Sequence, residues 1–534
     1  MPQQDLIQSN KFFIPYDFFV LRVPLYSLNC LNNIELNDML EIFEKDTFFQ
    51  ECILIANPEF YKLVHNKIDT GIDKNISQTL MNYYKRLCSR TIPFGLFAGI
   101  EIGTFGNETD IGDISHINKR CRVNNEWILK YIKILEKNKN IIRNLNLMTN
   151  ELIYRTGNEI NLYHSINEKL RDGLRTQVSI TLTNPIEKIL DLAKNKIIYE
   201  KLAKIIISEY GGCYTKEIYS LINSLIEHGF LITELRRPLV QLNYLDEIIK
   251  VIEGIEGTRK EVDDLKSINI KISNYNKNIG NSIDLLNEIN DYMDRILKTD
   301  NKIHVDCKLN LESIILNKNI AYDVAEAYSV YCVICGEDNE NKLYNSYVDK
   351  FIEKYGENVE VPLIDVFSRE IGIGKIDYSN NINDISNKSK IRKNILLNEI
   401  LDCVKNNVLE IDLGELIGKY KESLMDKNNG QVPKYLEVFG EIIVKNKQKI
   451  NKDNYIFISS KTVNTEFGAS YGRFLDILDK TAIKRIKKHF EEEEDVVYVQ
   501  LLFIPDTYSF GNVVMVPKFT DYAITLNLRM STKK

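Results

Sequence analysis

The chain has 534 residues, of which 44% are hydrophobic and 27% charged, and its formal net charge is −6. This composition is that of an ordinary globular protein, and the length suggests several domains. The net charge argues against a uniformly basic coat for nucleic acid, although it allows a local basic patch. No run approaches the ~18 consecutive apolar residues that a membrane span needs. We predict a soluble protein of the α+β class, a large mixed fold of several subdomains.

The N-terminus and the cysteines indicate a cytoplasmic location. "MPQQDLIQSNKFFIPYDFFVLRVPLYSL" has no basic segment followed by an apolar core and a small-residue cleavage site. Nine widely scattered cysteines do not make a disulfide framework. Cys332 and Cys335 are a close pair without a second pair or a nearby histidine, which favours small helix residues over a zinc or redox site. The six histidines are too dispersed for a metal site, so none is expected.

The first hundred residues have mixed periodicity. Residues 18–28 read as a strand, and residues 37–56 and 73–90 have helical spacing. Arg86 and Arg90 lie four apart near the end of the second helix, where they share one face and where cations are favoured. Because Pro93 disfavours helical geometry in the residue before it, the helix should end at about this point.

The next region combines a hairpin with several helices. Residues 124–138 predict an amphipathic helix, and "NELIYRTGNEINLYHS" predicts two short strands around a turn at Gly157. Three helical periodicities follow between residues 185 and 228, and the last one leads into the strand-like "GFLIT". This succession predicts a winged-helix unit at about residues 150–240.

The remainder of the chain is less distinctive. Residues 245–299 predict polar helices with apolar stripes, and "IHVDCKLN" predicts a strand. The Asn-rich residues 378–394 predict a mobile loop. The charged run 483–495 indicates a solvated helix and loop, with partner binding as an alternative. The predicted divisions are residues 1–149, 150–240 and 241–534.

The stretch "SRTIPFGLFAG", residues 89–99, places a basic residue among apolar side chains and glycines. It resembles the Arg-x-Thr-Pro-Phe-Gly-x-Phe-Ala-Gly signature of the lanthipeptide dehydratases of the LanB type. Eight further blocks follow in the order of that family and cover most of the chain. They are "NNEWI", "NELIYRTGNEINLY", "GFLITELRRPL", "HVDCKLN", "YGENVEVPLIDVFSREIGIG", "YLEVFGEIIV", "GASYGRFLDIL" and "VQLLFIPDTYSFGNVVMVP".

The resemblance implies a function. The N-terminal region of such enzymes takes glutamate from glutamyl-tRNA and esterifies Ser and Thr hydroxyls of a ribosomal precursor peptide. The implied partners are the leader of that peptide, bound by the winged-helix unit, glutamyl-tRNA as co-substrate without any other cofactor, and a separate elimination-domain protein and cyclase. A homodimer is allowed.

The resemblance also implies site residues, each of which matches a family position. They are Arg22, Arg86, Arg90, Asp306 and Arg473. Guanidinium groups suit this chemistry because they bind phosphate and carboxylate in a bidentate manner and stabilise a developing oxyanion. We expect Phe94, Leu96 and Phe97 to anchor the segment after Arg90 in the core and so to fix where that side chain points. We also expect Arg22, Arg86, Arg90 and Arg473 to share one cleft. The alternative for each residue is a structural salt bridge or a solvated charge.

Two features depart from the family pattern. Ile92 occupies the place of a threonine, and Asn124 that of an aspartate, so that weaker positioning of the aminoacyl amine or of an arginine is expected. The resemblance also stops before the elimination domain, and the chain should therefore be unable to eliminate glutamate alone. Two other functions stay open: a peptide aminoacyl-tRNA ligase, and an inactive protein that binds the leader peptide.

Overall fold

The protein is represented by a computed structural model whose described residues fall into two compact units. The described residues are 13–68, 71–165, 176–236, 244–278, 282–335, 339–367, 371–374, 376, 387–420, 433–444, 454–491, 496–503, 512, 515–517 and 519–526. The larger unit is drawn from Val20–Ile102, Gly112–Glu312 and Tyr471–Lys534, and the smaller unit from Met1–Phe19, Gly103–Ile111 and Ser313–Ser470. Helices and strands alternate irregularly along the chain, which confirms the α+β class.

The strands are short and numerous. They are β1 (Phe18–Pro24), β2 (Ala98–Gly106), β3 (Asp110–Ile111), β4 (Ile114–Val123), β5 (Asn146–Thr149), β6 (Ile153–Thr156), β7 (Glu159–Ser165), β8 (Thr176–Thr181), β9 (Ile197–Ile198), β10 (Leu231–Thr233), β11 (Ile303–Leu311), β12 (Ile314–Asn317), β13 (Glu437–Val444), β14 (Tyr455–Asn464), β15 (Val499–Phe503) and β16 (Tyr522–Leu526).

The helices account for most of the remaining described residues. They are α1 (Met39–Lys45), α2 (Thr47–Ala56), α3 (Pro58–His65), α4 (Lys74–Ser89), α5 (Asn125–Lys137), α6 (Lys139–Asn144), α7 (Asn184–Leu192), α8 (Tyr199–Tyr210), α9 (Thr215–Glu227), α10 (Tyr244–Ile252), α11 (Arg259–Lys277), α12 (Ile283–Ile296), α13 (Lys318–Cys335), α14 (Asn339–Tyr355), α15 (Leu363–Phe367), α16 (Asn387–Asn406), α17 (Leu413–Lys419) and α18 (Lys480–Glu491). Short 3₁₀ turns include Gly472–Phe474.

Strand β11 lies between β2 and β4 in its sheet. It pairs antiparallel with β4 along its whole length and parallel with β2, where Lys308 is opposite Ile100. Successive side chains of a strand point to opposite faces. Val305, Cys307 and Leu309 are buried on one face of β11, so His304 and Asp306 belong to the other face. The alternation of side chains therefore gives β11 one apolar face and one polar face.

The apolar face packs on the helices of the larger unit. Trp127 of α5 is fully buried and donates its Nε1–H to the Leu297 carbonyl at 3.1 Å. Phe43, Phe49 and Leu265 belong to the same core cluster. Burial of each large apolar side chain stabilises the fold by about 1.5–3 kcal/mol relative to exposure.

An ionic cluster is enclosed in this core. Lys119 Nζ lies 2.8 Å and 2.9 Å from the two carboxylate oxygens of Glu51 and 3.0 Å from Ser282 Oγ. Tyr275 donates its hydroxyl to Glu51 Oε1 at 2.6 Å. All four side chains are buried. We call these residues the Glu51 cluster; its ammonium group has a partner for each of its three protons.

The predicted elements between residues 150 and 233 are confirmed. The hairpin β6–β7 turns at Gly157, whose φ is +58°, and strand β8 extends it. Helices α7, α8 and α9 match the three predicted periodicities, and β10 follows them and pairs with β5. Three helices and a small antiparallel sheet are the elements that a winged helix needs. The assignment to that fold, and the three-part division of the chain, stay predictions.

The smaller unit has its own small core. Ile334, Ile395, Leu416 and Ile417 form a buried cluster between α13, α16 and α17. Strands β13 and β14 form an antiparallel pair. The prediction of a loop over residues 378–394 is wrong for residues 387–394, because they begin α16, whose Ile395 packs in this core. Residues 378–386 lie outside the described part.

Two other expectations concern membranes and metals. Among the described residues, the structure contains no helix long and apolar enough to cross a membrane. Cys332 lies within α13, as the helix prediction required, and its side chain is half-buried. In the part of the chain that is described, no group of three or more His, Cys, Asp or Glu side chains is arranged to hold a metal ion.

Candidate functional site

The candidate site lies on the polar face of β4 and β11 in the larger unit. Arg120 is directly opposite Asp306 in the antiparallel register. Directly opposite side chains are close enough to interact, and Arg120 Nη2 donates to an Asp306 carboxylate oxygen. Its Nη1 donates to the carboxylate of Asp476, which follows the Gly472–Phe474 turn. One guanidinium therefore joins two carboxylates from different parts of the chain.

Arg473 completes a cluster of two cations and two anions. Its Nη2 lies 3.8 Å from Asp306 Oδ1, and its backbone carbonyl accepts from Arg120 Nη2 at 3.3 Å. The exposed fractions of the side chains are 12% for Arg120, 1% for Asp306, 13% for Arg473 and 7% for Asp476. We call these four residues the Asp306 cluster. At this burial, each charge is stable only while its partners are present.

The environment keeps Asp306 ionised. Burial by itself would raise the pKa of this carboxyl, but His304, Arg120 and Arg473 outweigh that effect and hold the pKa of Asp306 well below its usual range. His304 Nε2 lies 3.2 Å from Asp306 Oδ1. Burial lowers the pKa of His304 although Asp306 opposes the shift, and the Nε2–H of the ring donates to the carboxylate, which can only accept.

Arg473 also connects the cluster to the signature stretch. Its Nη2 donates to the Pro93 carbonyl at 2.8 Å. Pro93 lies in the segment of residues 90–97, which we call the Pro93 loop. Burial lowers the pKa of Arg473 although Asp306 opposes the shift. Two of the predicted site residues, Asp306 and Arg473, are thus in contact, and the second of them holds the loop that begins with a third, Arg90.

The Pro93 loop begins where α4 ends, as predicted. Arg90 is the C-cap of α4, and its backbone N–H donates to the Arg86 carbonyl at 3.0 Å. The side chain of Arg90 is exposed. The guanidinium of Arg86 lies over the rings of Phe94 and Phe97, 4.7 Å and 5.5 Å from their centroids. Arg86 therefore packs on the same loop that Arg473 contacts.

Some apolar residues of the Pro93 loop are buried in the core, whereas another is exposed. Leu96 and Phe97 are fully buried, as expected for an anchor. The expectation that Phe94 is a third anchor is wrong: its side chain is 44% exposed, because it covers Arg86 instead of the core. Gly95 has φ +56°, a conformation that side chains resist, and a Cβ at Gly99 would lie 2.3 Å from a Leu309 methyl carbon.

The fifth predicted residue, Arg22, lies half-buried on β1. This strand pairs with β2, and the residue after it, Leu25, donates its N–H to the Phe97 carbonyl at 3.2 Å. The strand is therefore tied to the end of the Pro93 loop. A single cleft shared by Arg22, Arg86, Arg90 and Arg473 stays a prediction.

Asn124 has a structural role that the sequence did not indicate. It is the N-cap of α5, and its Oδ1 accepts from the Glu126 N–H at 2.9 Å. Its own N–H donates to the Lys302 carbonyl at 2.8 Å. Asn and Asp cap helices about equally well. The replacement of an aspartate by Asn124 is therefore compatible with the local structure, since the observed role needs an oxygen acceptor and no charge.

The sequence reasoning missed several charged residues of this face. They are Arg120, Arg122, His304 and Asp476. Arg122 donates to the Asn512 carbonyl at 2.6 Å, and burial lowers the pKa of Arg122 to about 9. In "NKRCRV" the polar residues Asn118, Arg120 and Arg122 alternate with Lys119, Cys121 and Val123. Such a polar face normally indicates the solvated side of an antiparallel strand, so the local sequence provides no signal that these cations are buried.

Comparison with known proteins identifies relatives over almost the whole chain. The family model described as "Lantibiotic dehydratase, N terminus" matches residues 45–533. Nisin biosynthesis protein NisB of Lactococcus lactis subsp. lactis is 26% identical over 509 residues, which are 90% of this chain and 49% of the relative. Subtilin biosynthesis protein SpaB of Bacillus subtilis is 24% identical over 549 residues, 96% of this chain and 52% of the relative. The chain thus spans about half the length of these curated relatives.

Solved structures share the fold. The tRNA-dependent lantibiotic dehydratase MibB from Microbispora sp. 107891 aligns with a TM-score of 0.82 at 19% identity, over 98% of this chain and 51% of that chain. The glutamylation domain of TbtB from thiomuracin biosynthesis aligns with a TM-score of 0.58 at 13% identity, over 92% of this chain and 61% of that chain. At these identities the likeness establishes the fold.

Proposed function

The chain belongs to the lantibiotic dehydratase N-terminal family, and we propose that it transfers glutamate from glutamyl-tRNA to Ser and Thr side chains of a ribosomally synthesised precursor peptide. The observation that carries the proposal is the link from Asp306 through Arg473 to the Pro93 loop. This link connects Asp306 and Arg473 to the loop that Arg90 begins and that Arg86 packs against, so it involves four of the residues matched to the family.

The chemistry needs fixed positive charge. The hydroxyl oxygen of Ser or Thr attacks the glutamyl carbonyl carbon, and the ester bond to the terminal ribose of the tRNA breaks. The hydroxyl proton is transferred to the ribose oxygen that leaves. Negative charge develops on the carbonyl oxygen during attack, and a preorganised guanidinium stabilises it. Arg90, exposed at the end of α4, is available to the phosphates of the tRNA or to the glutamyl carboxylate.

The proposal includes partners. Residues 150–240 bind the leader of the precursor peptide, which adds as a strand to the edge of the sheet formed by β6, β7 and β8. Glutamyl-tRNA is the co-substrate. A cytoplasmic location agrees with that co-substrate. A folded fragment of residues 150–240 that binds no precursor peptide encoded beside this chain would contradict the leader-binding assignment.

Mass spectrometry tests the transfer. The chain is incubated with glutamyl-tRNA and the precursor peptide, with and without a protein that resembles the elimination domain. We expect additions of single glutamyl units that mild base removes. Elongation of the peptide backbone by an amino acid would favour an aminoacyl-tRNA ligase instead. Leader binding without any addition under either condition would favour an inactive binding protein.

Arg90 provides the sharpest single substitution for this proposal. Arg90→Ala should abolish glutamylation while leaving the thermal unfolding midpoint nearly unchanged, because the side chain is exposed. Arg90→Lys should restore little activity, since an ammonium cannot make bidentate contacts. Glutamylation is quantified by mass spectrometry and unfolding by circular dichroism. Full activity of either variant would remove Arg90 from the site.

A further inference from the structure

We infer that Arg120 and Asp476 are positioning residues of the glutamylation site, which hold Asp306 and Arg473 in place and through Arg473 fix the Pro93 loop. The inference rests on the proposed function and adds two residues to it. Neither residue belongs to the set that the sequence suggested. Each acts through others, so neither needs to touch the peptide or the tRNA.

The geometry shows how one side chain orders three segments. Arg120 on β4 donates from Nη2 to Asp306 on β11 and from Nη1 to Asp476 after the Gly472–Phe474 turn. The planar fork of a guanidinium can serve two carboxylates at once, whereas an ammonium is a single point charge. Nη2 also donates to the backbone carbonyl of Arg473. Arg473 is therefore held at its backbone by Arg120 and at its side chain by Asp306.

The charges of the cluster are balanced only when all four members are present. Two guanidinium groups and two carboxylates are each at least 87% buried, since the largest exposed fraction is the 13% of Arg473. Removal of Arg120 would leave Asp306 and Asp476 buried without the cation that they share. Burial already raises the pKa of Asp476 despite Arg120. In such a variant the remaining basic groups near Asp306 would be His304, Arg122 and Arg473, and the remaining acidic group would be Asp476.

The connection to the loop distinguishes this cluster from an ordinary buried salt bridge. Arg473 Nη2 contacts the Pro93 carbonyl, three residues after the exposed Arg90. A displacement of Arg473 therefore changes the position of a loop that carries a proposed substrate-binding side chain. Displacement of catalytic groups by ~1 Å lowers rates by about 100-fold. The expected consequence of loosening the cluster is loss of rate with the fold retained.

The experiment compares Arg120→Met, Arg120→Lys and Asp476→Asn with wild type in the full chain. Lys266→Met is the control, because it removes an exposed ion pair with Glu253 elsewhere in the larger unit. Steady-state glutamylation is measured from pH 5 to pH 8, together with hydrogen exchange of peptides that cover residues 91–99. Hydrogen exchange provides a readout that does not depend on activity.

We expect kcat/KM to fall by about 100-fold in Arg120→Met, mainly through kcat, with less than tenfold recovery in Arg120→Lys. Wild type should show no acid limb from Asp306 between pH 5 and pH 8, because the pKa of this carboxyl is held well below its usual range, whereas loss of the cation in Arg120→Met raises the pKa of Asp306 toward this window. Exchange of residues 91–99 should accelerate in both Arg120 variants and in Asp476→Asn, and Lys266→Met should behave as wild type.

Two outcomes would overturn the inference. One is a folded Arg120→Met that keeps wild-type kcat, pH profile and exchange of residues 91–99. The other is acceleration of exchange across the whole larger unit, which would indicate general destabilisation. If wild type itself forms no glutamyl ester, the proposed function fails, and the exchange data still show whether Arg120 positions the loop.

Discussion

Two ionic clusters lie on opposite faces of β4, and they differ in how completely their polar atoms are hydrogen-bonded. This difference distinguishes a cluster that stabilises the core from one that supports the candidate site. Lys119 belongs to the Glu51 cluster and its neighbour Arg120 to the Asp306 cluster. In the first, the ammonium has three oxygen partners at hydrogen-bonding distance, all within the core. In the second, Arg120 Nε and Asp476 Oδ1 are buried without a hydrogen-bond partner among the described residues.

The comparison shows what a charged cluster needs in order to serve a site. The Glu51 cluster connects elements that are already packed together, and its charges compensate each other within the core. The Asp306 cluster extends through Arg473 to the Pro93 loop, part of which is exposed. Full saturation suits a structural role, whereas spare hydrogen-bonding capacity and a path to the surface suit a role in binding or catalysis.

The largest effect is expected from breaking the Glu51 cluster. Glu51→Ala leaves Lys119 as an uncompensated buried cation and should destabilise the protein by about 3–5 kcal/mol. Denaturant unfolding of the full chain measures this change. The double variant Glu51→Leu with Lys119→Met is the control and should recover much of the loss, because it removes both charges. A loss below about 1 kcal/mol in Glu51→Ala would contradict the assignment of a structural role.

A smaller change of stability, with a characteristic pH dependence, is expected for Asp306→Asn. Loss of its charge-assisted hydrogen bonds should destabilise the fold by about 1.5–3 kcal/mol at pH 7. Since the folded pKa is held below the unfolded value of about 3.9, the stabilisation is present above that pH and is lost as the pH falls toward the folded pKa.

The free energy of unfolding, measured from pH 7 down to pH 2, tests whether the stabilisation by Asp306 is lost as the pH falls. Wild type should lose stability more steeply than Asp306→Asn below about pH 4, so that the two curves converge in acid. The matched variant Glu101→Gln should not reproduce the effect. Burial raises the pKa of Glu101 in spite of Lys308, so its ionised form is not favoured by folding. Parallel curves for wild type and Asp306→Asn would show that Asp306 is not held ionised by its neighbours.

The smallest effect concerns the helix cap at Asn124. Asn124→Asp should change stability by less than about 0.5 kcal/mol, whereas Asn124→Ala should destabilise by about 1 kcal/mol, because alanine cannot accept the Glu126 N–H. Thermal unfolding measures both. An Asn124→Asp variant with higher glutamylation and unchanged stability would show that the charge at this position matters for the reaction. Equal stability of the alanine variant would remove the capping role.

Local sequence predicted much of the fold around the site. The end of α4 at Ser89 followed from Pro93 and the apolar spacing of residues 73–90. The helices between residues 184 and 227 followed from their periodicity in the same way. The loop prediction over residues 378–394 is wrong for residues 387–394, because apolar residues such as Ile391 and Ile395 stabilise a helix there in spite of the Asn-rich composition. Ile395 is buried in that helix.

The site was predicted only in part, for a physical reason. Asp306 and Arg473 were recognised from their motifs, but the cation that joins them was not. Arg120 is 186 residues from Asp306 and 356 residues from Asp476 in the chain. Only the register of β4 against β11 places it opposite Asp306. Nothing local to Arg120 distinguishes it from Lys119, which points to the other face.

The sequence by itself determined the family, the α+β class and the residues that end α4 and anchor the Pro93 loop. These properties depend on side-chain periodicity, on proline and glycine, and on short motifs, all of which act over a few residues. The tertiary structure decided which charges are neighbours. Ionic contacts between distant segments depend on where the folded backbone brings these segments. The register of β4 and the burial of Lys119 made the Glu51 cluster part of the core. The same register, together with the position of residues 471–476 against the sheet, made the Asp306 cluster the support of a candidate site.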